Sequence, residues 1–466
     1  MRFYLVVPLA GALGMATAGA ASALPDPLRL AAVGAVLCWV AFTLWPWAVL
    51  PVGIIGGAVA GGLVGHGDVK TTVLAHLCIL AAGYAGVVTR LLVRPDDLGR
   101  KRTVGDTGMV GLALLVVAAT AFGLARGNSA DGVVVALYEL GVIPLYYFAA
   151  TLTLPTAAGQ RAAGSLYVTV AAVLTALSLT APGRHGGLIP ILAVPPLVVL
   201  VGRNRGWRRA GPALLASLFI ADTVLSAYRG LWICAGVALL VLVVRGSAAV
   251  RRGVALIVAI SATGALLLGF VAGVGTRAQA VVDALARSPG YRGPEASVGL
   301  KVFAGNPFFG AGIGQSVPNV YLPGYGVTEV GPMYHVFYVM VLANIGLVGL
   351  AVLLWPILRA LREGFTKGDD MCLAYAALTC GFLASAWVAG PTDGHWTLGV
   401  LPALTLLTLR PGGRTVHRPV PGVARPGYAA GPPAVAAPPR IFKQQPAVGI
   451  RAAAIPPLPG AQPCPR

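Results

Sequence analysis

The stretch GPMYHVFYVMVLANIGLVGLAVLLWP, residues 331–356, decides the fold class of this chain. After His335 it runs through roughly twenty mostly apolar residues, the length that an α-helix needs to cross a hydrocarbon layer about 30 Å thick. Because the apolar residues are continuous and do not alternate with polar ones, the stretch predicts a membrane-spanning helix and not a strand of a membrane barrel. The titratable ring of His335 stands at the mouth of this run, where burying a charge is costly.

The composition of the whole chain also indicates a membrane protein. Of its 466 residues, 57% are hydrophobic and only 11% are charged, whereas about a quarter of the residues of a soluble domain are charged. A net charge of +19 would favour nucleic-acid binding in a soluble protein. In a membrane protein it is explained by basic cytoplasmic loops, so we expect membrane lipids as partners and no nucleic acid.

The recurring apolar runs predict an all-α, polytopic helical bundle with about 12–14 transmembrane helices and a helical external loop. The first run has two interpretations, an uncleaved first helix, which we prefer, or a cleaved signal peptide. The predicted spans lie near residues 3–23, 30–49, 50–66, 71–89, 108–125, 133–155, 162–181, 187–202, 210–227, 231–244, 253–275, 335–358, 371–389 and 396–409.

Four basic segments give the orientation of these spans. They are RLLVRPDDLGRKR (90–102), GRNRGWRR (202–209), RGSAAVRR (245–252) and RALREGFTK (359–367), and the predicted spans place all four on one side of the membrane. Arg and Lys concentrate in cytoplasmic loops, so we assign this side to the cytoplasm. The tail 410–466, rich in Pro, Ala and Arg, is predicted to be a disordered basic extension on the same side.

The spans divide the chain into N-terminal transmembrane helices (1–275), a large external loop (276–334), C-terminal transmembrane helices (335–409) and the tail. The external loop is predicted to be a compact cap folded back on the membrane, because it is long and carries two helical patterns. One pattern is in TRAQAVVDALARS (276–288). The other is in EASVGLKVFAG (295–305), and it is stopped by Asn306-Pro307 and a Gly-rich turn.

The external side carries few cations, and two of them suit an anionic substrate. Arg229 stands at the outer end of a span, and Arg292 lies in the cap. An arginine fork binds a phosphate or diphosphate in a bidentate manner and stays charged at any working pH. The alternative is that each arginine only reaches lipid headgroups or pairs with a carboxylate. His335 likewise has two interpretations, a general base with a pKa near neutrality or an ordinary interfacial histidine.

Other polar residues are accessory candidates. Glu139 and Asp222 lie within spans, where acids serve proton relays or bond to neighbouring helix ends. Asp393 and His395, in the last external loop, could line the same cavity as His335. The six cysteines have no CxxC spacing, and the histidines show no metal-ligand grouping, so we expect no disulfide framework, no metal and no cofactor.

Glycines follow His335 and also mark the turn of the cap. Gly346 and Gly349 permit close packing of the His335 helix against a neighbour. The turn is Asn306-Pro307-Phe308-Phe309-Gly310-Ala311-Gly312-Ile313-Gly314.

The order of these residues resembles the O-antigen ligase and polymerase family of bacterial polytopic membrane proteins. The matching motifs are His335 with Gly346-x-x-Gly349 downstream, the Asn-Pro-x-x-Gly-x-Gly-x-Gly turn at 306–314 with Arg292 before it, and the step Tyr228-Arg229-Gly230. The resemblance covers residues 226–354. Val336, Ala296 and Asn344 depart from it, since the family often has Asn or Ser, Trp and Glu at these positions.

The resemblance implies a metal-independent, inverting glycosyltransferase of the plasma membrane whose active site faces outward. The donor would be a glycan on undecaprenyl diphosphate, and the acceptor a sugar hydroxyl on a glycan or a lipid-linked glycan. Arg229 and Arg292 would hold the donor diphosphate, and His335 would be the general base. The motifs do not separate a ligase from a polymerase.

Two hypotheses from other classes stay open. One is a lipid-linked glycan flippase or transporter with a proton pathway through Glu139 and Asp222. The other is a peptidoglycan-type polymerase, for which Glu295 or Glu329 would supply a catalytic acid.

Overall fold

A computed structural model describes residues 26–64, 69–93, 102–180, 188–226, 228–269, 290, 292–322, 326–388 and 394–409. Within these residues the chain forms fourteen α-helices and one two-stranded sheet. The predicted all-α, polytopic helical bundle is confirmed. Among the predicted segments, the first span (3–23), the pattern at 276–288, Asp393 and the tail from 410 lie outside the described residues.

The helices follow the apolar runs closely. The thirteen predicted spans from 30–49 onward each coincide with one helix, and the remaining helix, α11, is the second helix predicted for the external loop. The helices are α1 (Asp26–Leu44), α2 (Val49–Val64), α3 (Val69–Val93), α4 (Asp106–Ala125), α5 (Ala130–Thr153), α6 (Ala157–Thr180), α7 (Leu188–Arg203), α8 (Ala210–Leu225), α9 (Arg229–Arg245), α10 (Ala248–Gly269), α11 (Arg292–Gly305), α12 (Phe337–Lys367), α13 (Asp370–Ser385) and α14 (Thr397–Thr408).

Five of the described helical segments are long and apolar enough to cross a membrane: His76–Val93 of α3, α4, α5, Ala157–Ser178 of α6, and α12. Large apolar side chains also point outward from these helices. On α4, for example, Leu114 and Val117 are 66% and 65% exposed. Such a surface is stable in contact with lipid. The chain is a membrane protein.

Helices α9 and α13 pack against each other in antiparallel orientation. At one end, the Ser247 hydroxyl just after α9 donates to Asp370 at the start of α13 at 2.9 Å. Midway, a Cβ on Gly381 would touch the backbone of Cys234. The start of α9 therefore lies beside the end of α13.

We call the end of the bundle where α12 begins the site end, and the end where α12 finishes at Lys367 the basic end.

The chain between α11 and α12 enters the bundle instead of staying above it. The turn 306–314 lies against the first third of α12, where the Ala311 N–H donates to the Ala343 carbonyl at 2.8 Å. Ala343 is six residues into α12, which corresponds to about 9 Å of helix. The cap predicted for this loop thus has a re-entrant part, and the chain leaves it through a β-hairpin that the sequence analysis did not predict, β1 (Val317–Leu322) with β2 (Gly326–Val330).

The turn is held by a break in α12 at Gly346. This residue has φ 66° and ψ −166°, a conformation open essentially only to glycine. The N–H groups of Leu347 and Val348 donate to the carbonyls of Pro307 and Phe308 at 2.9 and 3.0 Å. A Cβ on Gly346 would lie against the Phe308 carbonyl and 2.6 Å from the Gly310 nitrogen.

We predict that Gly346→Ala lowers the free energy of unfolding by more than about 2 kcal/mol, because it adds backbone strain to a clash with the turn. The measurement is thermal unfolding of the purified protein in detergent. Gly236→Ala in α9 is the matched control, since a Cβ there meets nothing within 4 Å. The control should unfold at the wild-type temperature or slightly above it. Equal melting temperatures for the two variants would contradict the role of the break.

Candidate functional site

His335 is held by a carboxylate from another helix. Its Nδ1 lies 2.8 Å from Oε2 and 3.0 Å from Oε1 of Glu295, and its backbone N–H donates to Oε1 at 3.3 Å. The Glu295 side chain is 7% exposed, whereas that of His335 is 39% exposed. The pair therefore joins a buried carboxylate to a ring that solvent reaches.

This contact fixes the chemistry of the ring. An ionised carboxylate only accepts hydrogen bonds, so Nδ1 of His335 carries the proton that it donates to Glu295. In the neutral ring the lone pair then lies on Nε2, which is the atom that can take a proton from a bound group. Glu295 also stabilises the imidazolium that such a transfer forms.

Glu295 reaches His335 because α11 comes close to the start of α12. Gly299, one turn after Glu295, makes this approach possible, since a Cβ there would touch Val339 and lie 2.9 Å from the Tyr334 ring. From the sequence, Glu295 was a candidate only for a catalytic acid in another kind of enzyme, and its partnership with His335 was not predicted. The signal in the sequence for this partnership was the position of Glu295, one helical turn after Arg292.

Tyr334 contributes a second polar atom beside this pair. It is 3% exposed, and its hydroxyl has no hydrogen-bond partner among the described residues. Burial, followed by the charge of Glu295, raises the pKa of Tyr334 to about 12. The side chain therefore stays a phenol that can donate a hydrogen bond at any physiological pH.

Arg292 begins α11 and lies one turn before Glu295, so their Cβ atoms are about 5–6 Å apart. Its Nη1 donates to the carbonyl of Val388, just after α13, at 3.1 Å. Its Nε is buried without a partner among the described residues. The guanidinium thus keeps one unused donor, on a residue one helical turn before Glu295.

Arg229 begins α9 and is exposed. Because α9 and α13 are antiparallel and Cys234 faces Gly381, a helical rise of about 1.5 Å per residue places Arg229 level with Ala386. Arg292 bonds to Val388, two residues further on. The fold therefore brings both predicted arginines to the site end, the end that also holds His335.

A second histidine–glutamate pair lies deeper in the bundle. His395 Nδ1 bonds to Oε2 of Glu139, and the two side chains are only 3% and 5% exposed. The His395 ring stacks on the ring of Phe337 with the centroids 4.8 Å apart. Phe337 follows His335 by two residues, so His395 contacts the start of α12 and brings Glu139 close to it.

Asp222 lies elsewhere. Its Oδ1 accepts a hydrogen bond from the Ser178 hydroxyl at 2.6 Å, between α8 and α6. Glu139, by contrast, lies on α5 and bonds to His395, two residues before α14. The two acids within spans therefore belong to different groups of helices.

The Gly-rich turn adopts the conformation that its glycines permit. Gly310, Gly312 and Gly314 have φ values of 70°, 89° and 91°, a region that side chains other than glycine rarely occupy. Gly349, the last of the predicted structural glycines, faces the Ile345 side chain of its own helix.

Asn344 connects the turn to the segment that leads into His335. It is 1% exposed. Its Nδ2 donates to the carbonyls of Pro332 and Met340 at 3.2 and 2.9 Å, and its Oδ1 accepts from the Gly314 N–H at 3.2 Å. The amide of Asn344 provides both the donors and the acceptor that these three contacts need, whereas an ionised carboxylate only accepts. Asn344 therefore holds the turn and the segment before His335 together.

Among the described residues, no three His, Cys, Asp or Glu side chains are placed to hold a metal ion. Comparisons with models of protein families and with curated proteins find no match for this chain.

Proposed function

We propose that this protein is an O-antigen-ligase-like glycosyltransferase of the plasma membrane. It would transfer a glycan from an undecaprenyl diphosphate carrier to a sugar hydroxyl on the outer face of the membrane, without a metal or cofactor. The observation that carries this proposal is the His335–Glu295 pair, a solvent-accessible imidazole oriented by a buried carboxylate. Such a pair suits a general base that acts on a hydroxyl group.

The proposed reaction uses this pair on the acceptor. Nε2 of His335 takes the proton of the acceptor hydroxyl while its oxygen attacks the anomeric carbon of the donor from the face opposite the diphosphate. The new glycosidic C–O bond forms, the C–O bond to the diphosphate breaks, and the anomeric configuration inverts. The proton stays on the imidazolium, which Glu295 stabilises until it passes to water or to the released lipid diphosphate.

Two arginines would serve the donor. Arg292 offers a buried Nε without a partner among the described residues, and Arg229 is exposed at the same end of the bundle. Their forks would bind the diphosphate and offset the negative charge that develops as it leaves. The polyprenyl chain would stay in lipid, beside the apolar outer surface of the helices, while the sugars face water.

Orientation follows from the charge of the two ends. The basic end carries exposed cations on several helices, among them Arg205, Arg208, Arg209, Arg251, Arg252, Arg359 and Lys367. The positive-inside rule assigns this end to the cytoplasm and the site end to the outside. A flippase, the proposal from another class, gains less support, because Glu139 and Asp222 belong to different groups of helices.

The first prediction concerns the base and its partner. His335→Ala should lower glycan transfer by at least about 100-fold, since a general base contributes 10²–10⁴-fold. Glu295→Gln should lower kcat by about tenfold or more with little change in KM, because the amide still orients the ring but no longer stabilises the imidazolium. The measurement is turnover of a lipid-diphosphate glycan by purified protein. Wild-type turnover of His335→Ala would remove this residue as the base.

The second prediction concerns the arginines. Arg229→Lys and Arg292→Lys should each lower kcat/KM about tenfold or more, because lysine keeps the charge and loses the fork. Lys301→Gln is the matched control, since Lys301 is an exposed cation on α11 at the same end and should leave turnover unchanged. Near-normal turnover of both arginine variants would argue against binding of the diphosphate by these residues.

The third prediction concerns sidedness. A reporter fused after Arg410 should give a cytoplasmic signal, because α14 runs from the site end toward the basic end. The readout is the activity ratio of a reporter pair in which one member works only in the cytoplasm and the other only outside it. An outside signal would reverse the orientation.

The same purified system separates a ligase from a polymerase. A polymerase should extend one lipid-linked repeat with another and give a ladder of products. A ligase should transfer the glycan only to a different acceptor, such as a lipid-linked core glycan. Transport of the donor across vesicles without any new glycosidic bond would instead favour the flippase.

A further inference from the structure

We propose that the basic end carries a binding site for anionic phospholipid, formed by the turn between α7 and α8. The turn contains Arg205, Arg208 and Arg209, all exposed, and Trp207, which is 84% exposed. This site is separate from the proposed glycosyl-transfer site and does not depend on it.

Helix packing concentrates charge around this turn. A Cβ on Gly202, near the end of α7, would lie 2.6 Å from the Ala249 carbonyl at the start of α10. The exposed Arg251 and Arg252 of α10 are therefore brought to the same corner as the turn. Five exposed arginines, three in the turn and two in the first turns of α10, thus lie at this corner of the bundle.

The nearby acids are engaged with other groups. The Asp369 carboxylate accepts from Arg203 at 2.7 Å and from the N–H groups of Met371 and Cys372. Asp370 accepts from Ser247 at 2.9 Å. Arg203 therefore forms a structural ion pair with Asp369 at this corner. The exposed turn arginines, Arg205, Arg208 and Arg209, face outward.

The turn also has the chemistry of a membrane interface. Tryptophan prefers the headgroup region, where its ring contacts acyl chains and its N–H contacts water or phosphate. Leu214, one to two helical turns into α8, is 61% exposed and lies about 7 Å deeper along the helix. The turn therefore combines arginines for the phosphate, Trp207 for the interface and Leu214 for the acyl chain of a phospholipid.

The partner is therefore a phospholipid with net negative charge, such as phosphatidylglycerol, and not a soluble phosphate. Each cation near an anionic membrane surface strengthens binding about fivefold. Removing the three turn arginines should lower the preference for anionic lipid at least about tenfold. The preference should also weaken as salt is raised.

The experiment uses the full-length protein, purified and exchanged into nanodiscs of phosphatidylcholine with or without phosphatidylglycerol. Retained lipid is counted by native mass spectrometry after release. The test variant is R205Q/R208Q/R209Q. The matched control is R359Q/R362Q/K367Q, which removes the same charge from exposed positions of α12 at the same end. The wild type and the control should retain phosphatidylglycerol over phosphatidylcholine, and the test variant should lose the preference.

Trp207→Ala extends the test to the interfacial anchor. It should lower retention of both lipids without changing the ratio between them. Glycerol phosphate at millimolar concentration should not displace the lipid.

Three results would overturn the proposal. They are an unchanged preference in the test variant, an equal loss in the control, and displacement of the lipid by glycerol phosphate. The melting temperatures of both triple variants, measured in phosphatidylcholine alone, show whether a loss of preference reflects unfolding.

Discussion

The structure depends on an exchange of backbone hydrogen bonds inside the membrane. In an unbroken α12, the N–H groups of Leu347 and Val348 would bond to the carbonyls of Ala343 and Asn344. The break at Gly346 frees all four groups, and the turn 306–314 satisfies each of them with its own backbone. A bilayer offers no water to replace these partners. The opening of α12 at Gly346 therefore supplies the partners that let this irregular turn enter the bundle.

This exchange also determines where His335 stands. The turn fixes the end of α11, and close packing at Gly299 brings the rest of α11 against the first residues of α12. Glu295 then meets His335 across a gap of forty residues in sequence. Asn344 ties the same turn to the carbonyl of Pro332, three residues before His335. The His335 ring is thus oriented by the fold of the loop and not by its neighbours in the chain.

The contrast explains what the sequence could predict. A membrane span can be predicted from its own stretch of sequence, because a continuous apolar run of sufficient length becomes a helix whatever lies beside it in the membrane. Both arginines and His335 were likewise chosen as candidates from motifs in short stretches. The Glu295 partnership, the clamp by Asn344 and the β-hairpin depend on how the loop folds back, and no periodicity in the sequence reports this. The residue after His335 shows this limit. Because Val336 has no polar side chain, the sequence indicated that the partner of His335 lies elsewhere in the fold, but not which residue it is.

The buried pair of Glu139 and His395 is explained by the same requirement, that a polar group inside the membrane needs a hydrogen-bond partner. An acid within a spanning helix is usually a sign of transport, because an unpaired charge in hydrocarbon is expensive. Here the histidine before α14 lies at the depth of Glu139 and pairs with it, so removing either residue would leave a buried polar group without compensation, at a cost of about 3–5 kcal/mol. His395 also stacks on Phe337, the first residue of α12. The pair therefore joins α5 and the segment before α14 to Phe337, two residues after the proposed base, and Glu139 finds in His395 the partner that a carboxyl within a spanning helix requires.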